Sequence, residues 1–90
     1  MKITFSSASC EQYVHWQDAD AKITARINDF IRDASRNPFV GLGKPEPLRN
    51  ELSGWWSRRI TDEHRFVYRV LGKGPEQALE IAACRFHYGR

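Results

Sequence analysis

The sequence predicts one α+β domain, with an N-terminal strand and two helices packed on a mainly antiparallel sheet. Three observations lead there: an alternating segment opens the chain, two helix-like segments follow, and three strand-like segments joined by short turns close it. Ninety residues suffice for a single core, so the domain is expected to span residues 1–90. A content of 41% hydrophobic and 12% aromatic residues excludes a disordered chain. No apolar run approaches the ~18 residues of a membrane span, and no basic segment leads into an apolar one. A cytoplasmic protein with no membrane contact is expected. Cys10 and Cys84 are too few for a disulfide framework. Fourteen Lys and Arg against eleven Asp and Glu leave a net charge of +3, which permits a nucleic-acid partner without demanding one.

Residues 2–6 alternate polar and apolar, as in a short strand with Ile3 and Phe5 on one face. Ser6, Ser7 and Ser9 offer helix N-caps, and Ser9 with Gln12 resembles a capping box. The first helix runs to about Asp18, with Tyr13, Val14 and Trp16 on its apolar side. Asp18 or Asp20 caps the second helix. There Ile23, Ile27, Phe30, Ile31 and Ala34 form one stripe on a 3.6-residue period. Asn37-Pro38 ends it, because the residue before proline is driven out of the helical region. Residues 37–51 read as an irregular loop of about 15 residues, a length that goes with function or disorder. Phe39, Val40, Leu42 and Leu48 argue that it packs down. Trp55–Ile60, Arg65–Leu71 and Ala78–Phe86 then alternate as strands, and the turns at Asp62-Glu63 and Gly72–Gln77 make them antiparallel hairpins.

Polar residues concentrate between Lys44 and Arg69 and again at the C-terminus. Arg59, Arg65 and Arg69 lie on two consecutive hairpin strands, where alternate residues share a face. Guanidinium groups at close quarters repel unless an anion joins them, and phosphate matches their geometry. A second reading pairs them with Asp62, Glu63 and Glu51 on a solvated face. Glu46 stands between Pro45 and Pro47, whose rings restrict the backbone. It is either a solvated acid in a stiff loop or a base held near a substrate hydroxyl. His87 near the terminus is a surface residue or an acid, and imidazole suits acid work near neutral pH. Base, cation and acid are what metal-free RNA cleavage wants: removal of the 2′-OH proton, stabilisation of the phosphorane, and protonation of the leaving 5′-oxygen. His64 reads as a turn residue. Trp16, Trp55 and Trp56 read as packing residues rather than base-stacking platforms. No His or Cys cluster has ligand spacing, so no metal or cofactor is expected.

The pattern as a whole resembles the YoeB (Txe/YoeB) toxins of bacterial toxin–antitoxin modules, within the wider RelE superfamily. Its densest parts are Gly43-Lys-Pro-Glu-Pro-Leu48, Leu52-Ser-Gly54, Trp56-Ser-Arg-Arg-Ile-Thr61, Glu63-His-Arg65, Ile81-Ala-Ala-Cys-Arg85 and His87-Tyr88. The resemblance implies a RelE-like fold related to microbial ribonucleases. It implies a ribosome-dependent endonuclease that cuts mRNA in the ribosomal A site and so inhibits translation. By it, Glu46 matches the general base, Arg65 the phosphate-stabilising arginine, His87 the general acid and Tyr88 the tyrosine that positions the RNA. Lys44, Arg49 and Arg59 fall where the family places substrate contacts, although position 49 is often Lys in relatives. The resemblance also implies a cognate YefM-like antitoxin with an acidic tail, a homodimer, and operator DNA bound only by the toxin–antitoxin complex. Two features depart from it: the Gly72–Gln77 turn is long, and Gly89-Arg90 extends past His-Tyr. Two other classes stand beside the enzyme. One is a toxin of the same fold that acts by binding a protein such as gyrase; the other is a non-catalytic RNA- or DNA-binding module. Glu46, Arg65 and His87 together speak for the enzyme, since a pure binder has no need of the set.

Overall fold

Two helices and five strands make up the described part of the chain, residues 1–87 of a computed structural model. Strand β1 (Lys2–Phe5) is followed by helices α1 (Ser7–Ala19) and α2 (Ala21–Arg36). Then come β2 (Glu46–Pro47), β3 (Trp56–Arg59), β4 (Arg65–Leu71) and β5 (Ala78–Ala83). They form one sheet in the order β1-β5-β4-β3-β2. The β1–β5 pair is parallel and the others are antiparallel. Among the described residues no helix is long and apolar enough to cross a membrane.

The helices begin where short polar side chains can satisfy their first N–H groups. Asp20 caps α2, accepting from the N–H groups of Lys22 and Ile23. At α1 the cap is Ser6, which accepts from the Ser9 N–H at 3.0 Å. The capping box expected of Ser9 and Gln12 does not form, because both side chains serve β5 and its extension. Buried Ser9 donates its hydroxyl to the Ile81 carbonyl at 2.7 Å, and Gln12 accepts the Cys84 N–H. The apolar stripe of α2, Ile27, Phe30 and Ala34, is wholly buried against one face of the sheet, where Phe66, Tyr68, Leu79 and Ile81 point.

Arg58 shares that face and is itself fully buried. A buried guanidinium is tolerable only when its donors are satisfied. Here they reach the Asp33 carboxylate, the carbonyls of Asn37, Val40 and Leu42, and the Tyr68 hydroxyl. This hydrogen bond from Arg58 holds the Asp33 carboxyl below its usual range. Burial pushes the Tyr68 phenol up. The loop after α2 therefore hangs on Arg58. It also needs Gly43, at φ 76°, where a Cβ would stand 2.5 Å from the Phe30 ring. The Gly43 carbonyl then accepts the Arg59 N–H at 2.7 Å and hands the chain to β2.

Three further sequence expectations are corrected. Residues 37–51 are not irregular throughout, since Glu46 and Pro47 pair with Ser57 and Trp56 and a 3-10 turn covers Asn50–Leu52. Strand β4 does not alternate simply: Arg65, Phe66, Val67 and Tyr68 are all buried, and the register shifts at Val67/Tyr68. The last strand stops at Ala83 rather than Phe86, because the following backbone groups bond to side chains and bend away.

Candidate active site

Cross-strand register sorts the face opposite the helices into three rows. Glu46, Ser57, Val67 and Ala83 make the middle row. Two residues along lies the pair Arg59 and Arg65. On the other side lie Arg69, Glu80 and Thr4. Because side chains alternate across a sheet, these rows share one face. Glu46 thus projects from an edge strand, not from the free loop that its flanking prolines suggest.

The two arginines differ in environment. Arg59 is exposed, and its backbone is held by the Gly43 carbonyl and by the Arg26 guanidinium. Arg65 is only 8% exposed. Its Nη1 donates to the carbonyls of Thr61 (2.6 Å), Asp62 (3.1 Å) and His64 (3.2 Å). Those contacts fix the plane of the guanidinium and leave Nε and Nη2 without a bond among the described residues. The pairing of Arg59 and Arg65 with Asp62, Glu63 or Glu51 is absent among the described residues, where Arg32 pairs instead with Asp29, Arg58 with Asp33 and Arg69 with Glu80.

The chain leading to His87 is held by a clamp on residues 84–86. Trp16 Nε1–H donates to the Cys84 carbonyl and the Cys84 N–H to Gln12 Oε1, each at 2.8 Å. The Phe86 N–H donates to His64 Nδ1 at 2.8 Å, and the Arg65 N–H to the Phe86 carbonyl at 3.0 Å. Rings pack around these bonds, with Trp16 edge-on to His64 at 4.9 Å. Phe86 itself is left-handed, with φ 66°. The Arg65–Phe86 bond makes the two residues neighbours, so half-buried His87 follows directly beside Arg65. His64, Trp16 and Gln12 are structural supports of this segment that sequence reasoning missed; only the position of His64 next to Arg65 hinted at one of them. Tyr88 lies outside the described residues.

Lys44 and Arg49, the remaining substrate-binding candidates, flank β2 and are exposed. Arg49 lines a cleft of about 490 Å³ with Glu46, Pro47, Asn50 and Leu52. Burial pushes the Cys84 thiol up to about 12, which removes it as a nucleophile. What gathers on one face is therefore a carboxylate and two guanidinium groups, with His87 next in the chain after the Phe86 that bonds to Arg65.

A family model described as the YoeB-like toxin of a bacterial type II toxin–antitoxin system matches residues 5–88. The toxin YoeB of Escherichia coli K12 is 52% identical over 88 residues, covering 98% of this chain and 100% of that protein. A solved structure, described as a YoeB/ParE toxin from Agrobacterium tumefaciens, is 57% identical, with a TM-score of 0.94 over 98% of this chain and 100% of that one. A Staphylococcus aureus relative, 40% identical with a TM-score of 0.86 over 98% of both chains, has been solved as a YoeB dimer and as a heterotetrameric YoeB–YefM toxin–antitoxin complex. With the whole described fold and nearly the whole sequence matched, the chain belongs to the YoeB-like toxins of bacterial type II toxin–antitoxin systems.

Proposed function

We propose that this toxin is a ribosome-dependent endoribonuclease that cuts mRNA in the A site by internal attack of a ribose 2′-OH. The observation that carries the reading is the common sheet face of Glu46, Arg59 and Arg65, with the chain clamped at Phe86 beside Arg65, one residue before His87. Glu46 takes the 2′-OH proton as the oxygen attacks the neighbouring phosphorus. Arg65, with its guanidinium plane fixed, and exposed Arg59 stabilise the dianionic phosphorane. His87 protonates the leaving 5′-oxygen, and Tyr88 holds the RNA. Lys44 and Arg49 contact flanking phosphates. Base, charge stabilisation and acid all come from side chains, so the proposed step calls on no metal. A net charge of +3 is small for a free RNA binder, which suits an enzyme whose substrate the ribosome holds.

The toxin then works in the cytoplasm and is restrained by a YefM-like antitoxin whose acidic tail covers the basic face. The Staphylococcus aureus assemblies support that partner and a homodimer. Operator DNA is bound only by the toxin–antitoxin complex.

A translation extract programmed with defined mRNA and read by primer extension tests the reading. Discrete cuts inside ribosome-occupied codons, absent without ribosomes and absent with Glu46→Gln, are expected. Intact mRNA with translation nonetheless arrested overturns it and favours a toxin that acts by binding protein.

A further inference from the structure

The third row of the open face has no part in the chemistry above. Trp55 immediately precedes β3, and the Arg69 guanidinium lies over its ring at 4.3 Å from the centroid. Arg69 Nε donates to Glu80 Oε1 at 2.8 Å. Beside them is a cleft of about 330 Å³, lined by Trp55 and Glu80 together with Thr4, Ser6 and Ala82. By register this row lies next to the Glu46 row, on the side away from Arg65 and His87. Strands lie ~4.8 Å apart and rise ~3.3 Å per residue, so Trp55, one strand across and two residues along, stands ~8 Å from Glu46, a distance that one nucleotide spans, while Glu80, three strands across, stands ~16 Å away at the far side of the cleft.

We infer that this cleft is a nucleobase subsite for the mRNA nucleotide flanking the scissile phosphate, with Trp55 as its stacking wall and Glu80 as its hydrogen-bond acceptor. This rests on the endonuclease reading and adds the base specificity of the same face. An aromatic ring stacks on any base, so Trp55 supplies affinity without choice. Choice comes from Glu80. Arg69 holds one carboxylate oxygen, and the carboxylate accepts but does not donate. Adenine, cytosine and guanine offer an exocyclic amino group to such an acceptor, whereas uracil offers only its N3–H, set between two carbonyl oxygens that the carboxylate repels. The subsite therefore favours an amino-bearing base over uracil.

Single-turnover cleavage of ribosome-bound mRNAs that differ only at the flanking nucleotide tests this, using the full-length toxin and its Trp55→Ala, Trp55→Phe and Glu80→Gln variants. Circular dichroism first confirms that each is folded. Trp55→Ala is expected to cut about tenfold more slowly, Trp55→Phe to retain most of the rate, and Glu80→Gln to lose the discrimination against uracil. An abasic flanking nucleotide slows the wild type to the Trp55→Ala rate and slows Trp55→Ala no further. Wild-type rates and base pattern in Trp55→Ala, or equal abasic effects in both proteins, overturn the subsite while leaving the endonuclease reading intact. If the wild type cuts no mRNA, the endonuclease reading falls instead. The subsite is then decided by titrating the free protein with a 2′-deoxy trinucleotide. Movement of the Trp55 indole N–H resonance upholds it, and no movement overturns it.

Discussion

Replacing His64 with Phe tests how the acid is delivered. The change keeps a ring against Trp16 and Phe86 but removes the Nδ1 acceptor of the Phe86 N–H. The bond is exposed, so water can take the place of the lost acceptor and the change costs the net worth of one hydrogen bond, about 0.5–1.5 kcal/mol. Phe86 already holds a left-handed backbone, which costs about 1–3 kcal/mol for a residue of this kind. Three bonds of the clamp survive, two on Cys84 and one on the Phe86 carbonyl, so the segment stays attached while its last residue is free to relax. At 1.4 kcal/mol per tenfold, the loss lowers the fraction with His87 in place by about 2- to 12-fold. Single-turnover cleavage should slow by that factor, with ribosome affinity within about twofold. Melting should fall by no more than about 4–8 °C for each kcal/mol lost. His64→Asn, whose side-chain oxygen reaches nearly the same point as Nδ1, should restore most of the rate. Adding His64→Phe to His87→Gln should cost little more, because the acid it positions is already gone. A His64→Phe protein that cuts at the wild-type rate, or that slows equally with and without His87, refutes the positioning role.

Other consequences follow from the buried clamp and the thiols. Arg58→Met leaves the Asp33 carboxylate and three loop carbonyls without their donor. It should cost about 3–5 kcal/mol, a large share of the 5–15 kcal/mol typical of a domain, and should lower the urea midpoint accordingly. The Asp33 carboxyl is held below its ordinary value of 3.8 chiefly by the Arg58 hydrogen bond. Its contribution to stability is therefore complete above that value and lost as pH falls through the depressed folded one, so urea titrations across the acid range should show a shallower decline in Asp33→Asn. Iodoacetamide at mild alkaline pH should label exposed Cys10 and spare Cys84 until the protein is unfolded, as peptide mass mapping can show.

The sequence made some of this visible and hid the rest for physical reasons. The α2 stripe and its stop at Asn37-Pro38 are local signals, and the structure follows them residue for residue to Arg36. Strand β4 begins and ends where alternation and turn residues predict. Strand β2 was hidden because two residues between prolines have no period, and only pairing with β3 makes them a strand. Ser9 and Gln12 carry a good capping pattern, yet long-range partners on β5 and beyond claim both side chains. Arg58 carries no sequence signal of its burial, since nothing local says that five acceptors from α2, its following loop and β4 will surround it. The arginines facing one another across β3 and β4 were legible from alternation. The clamp that carries His87 was not, because it joins residues 12, 16, 64 and 65 to a segment at the far end of the chain.

Cleavage of ribosome-bound mRNA carrying a single 2′-deoxy nucleotide on the 5′ side of the scissile phosphate tests the proposed chemistry most directly. Internal attack by the 2′-OH requires that this substrate stay intact. The matching all-ribose mRNA should give an upstream fragment ending in a 2′,3′-cyclic phosphate, or its hydrolysis product, and a downstream fragment with a 5′-OH. Efficient cutting of the deoxy substrate at the same bond contradicts the roles assigned to Glu46 and His87.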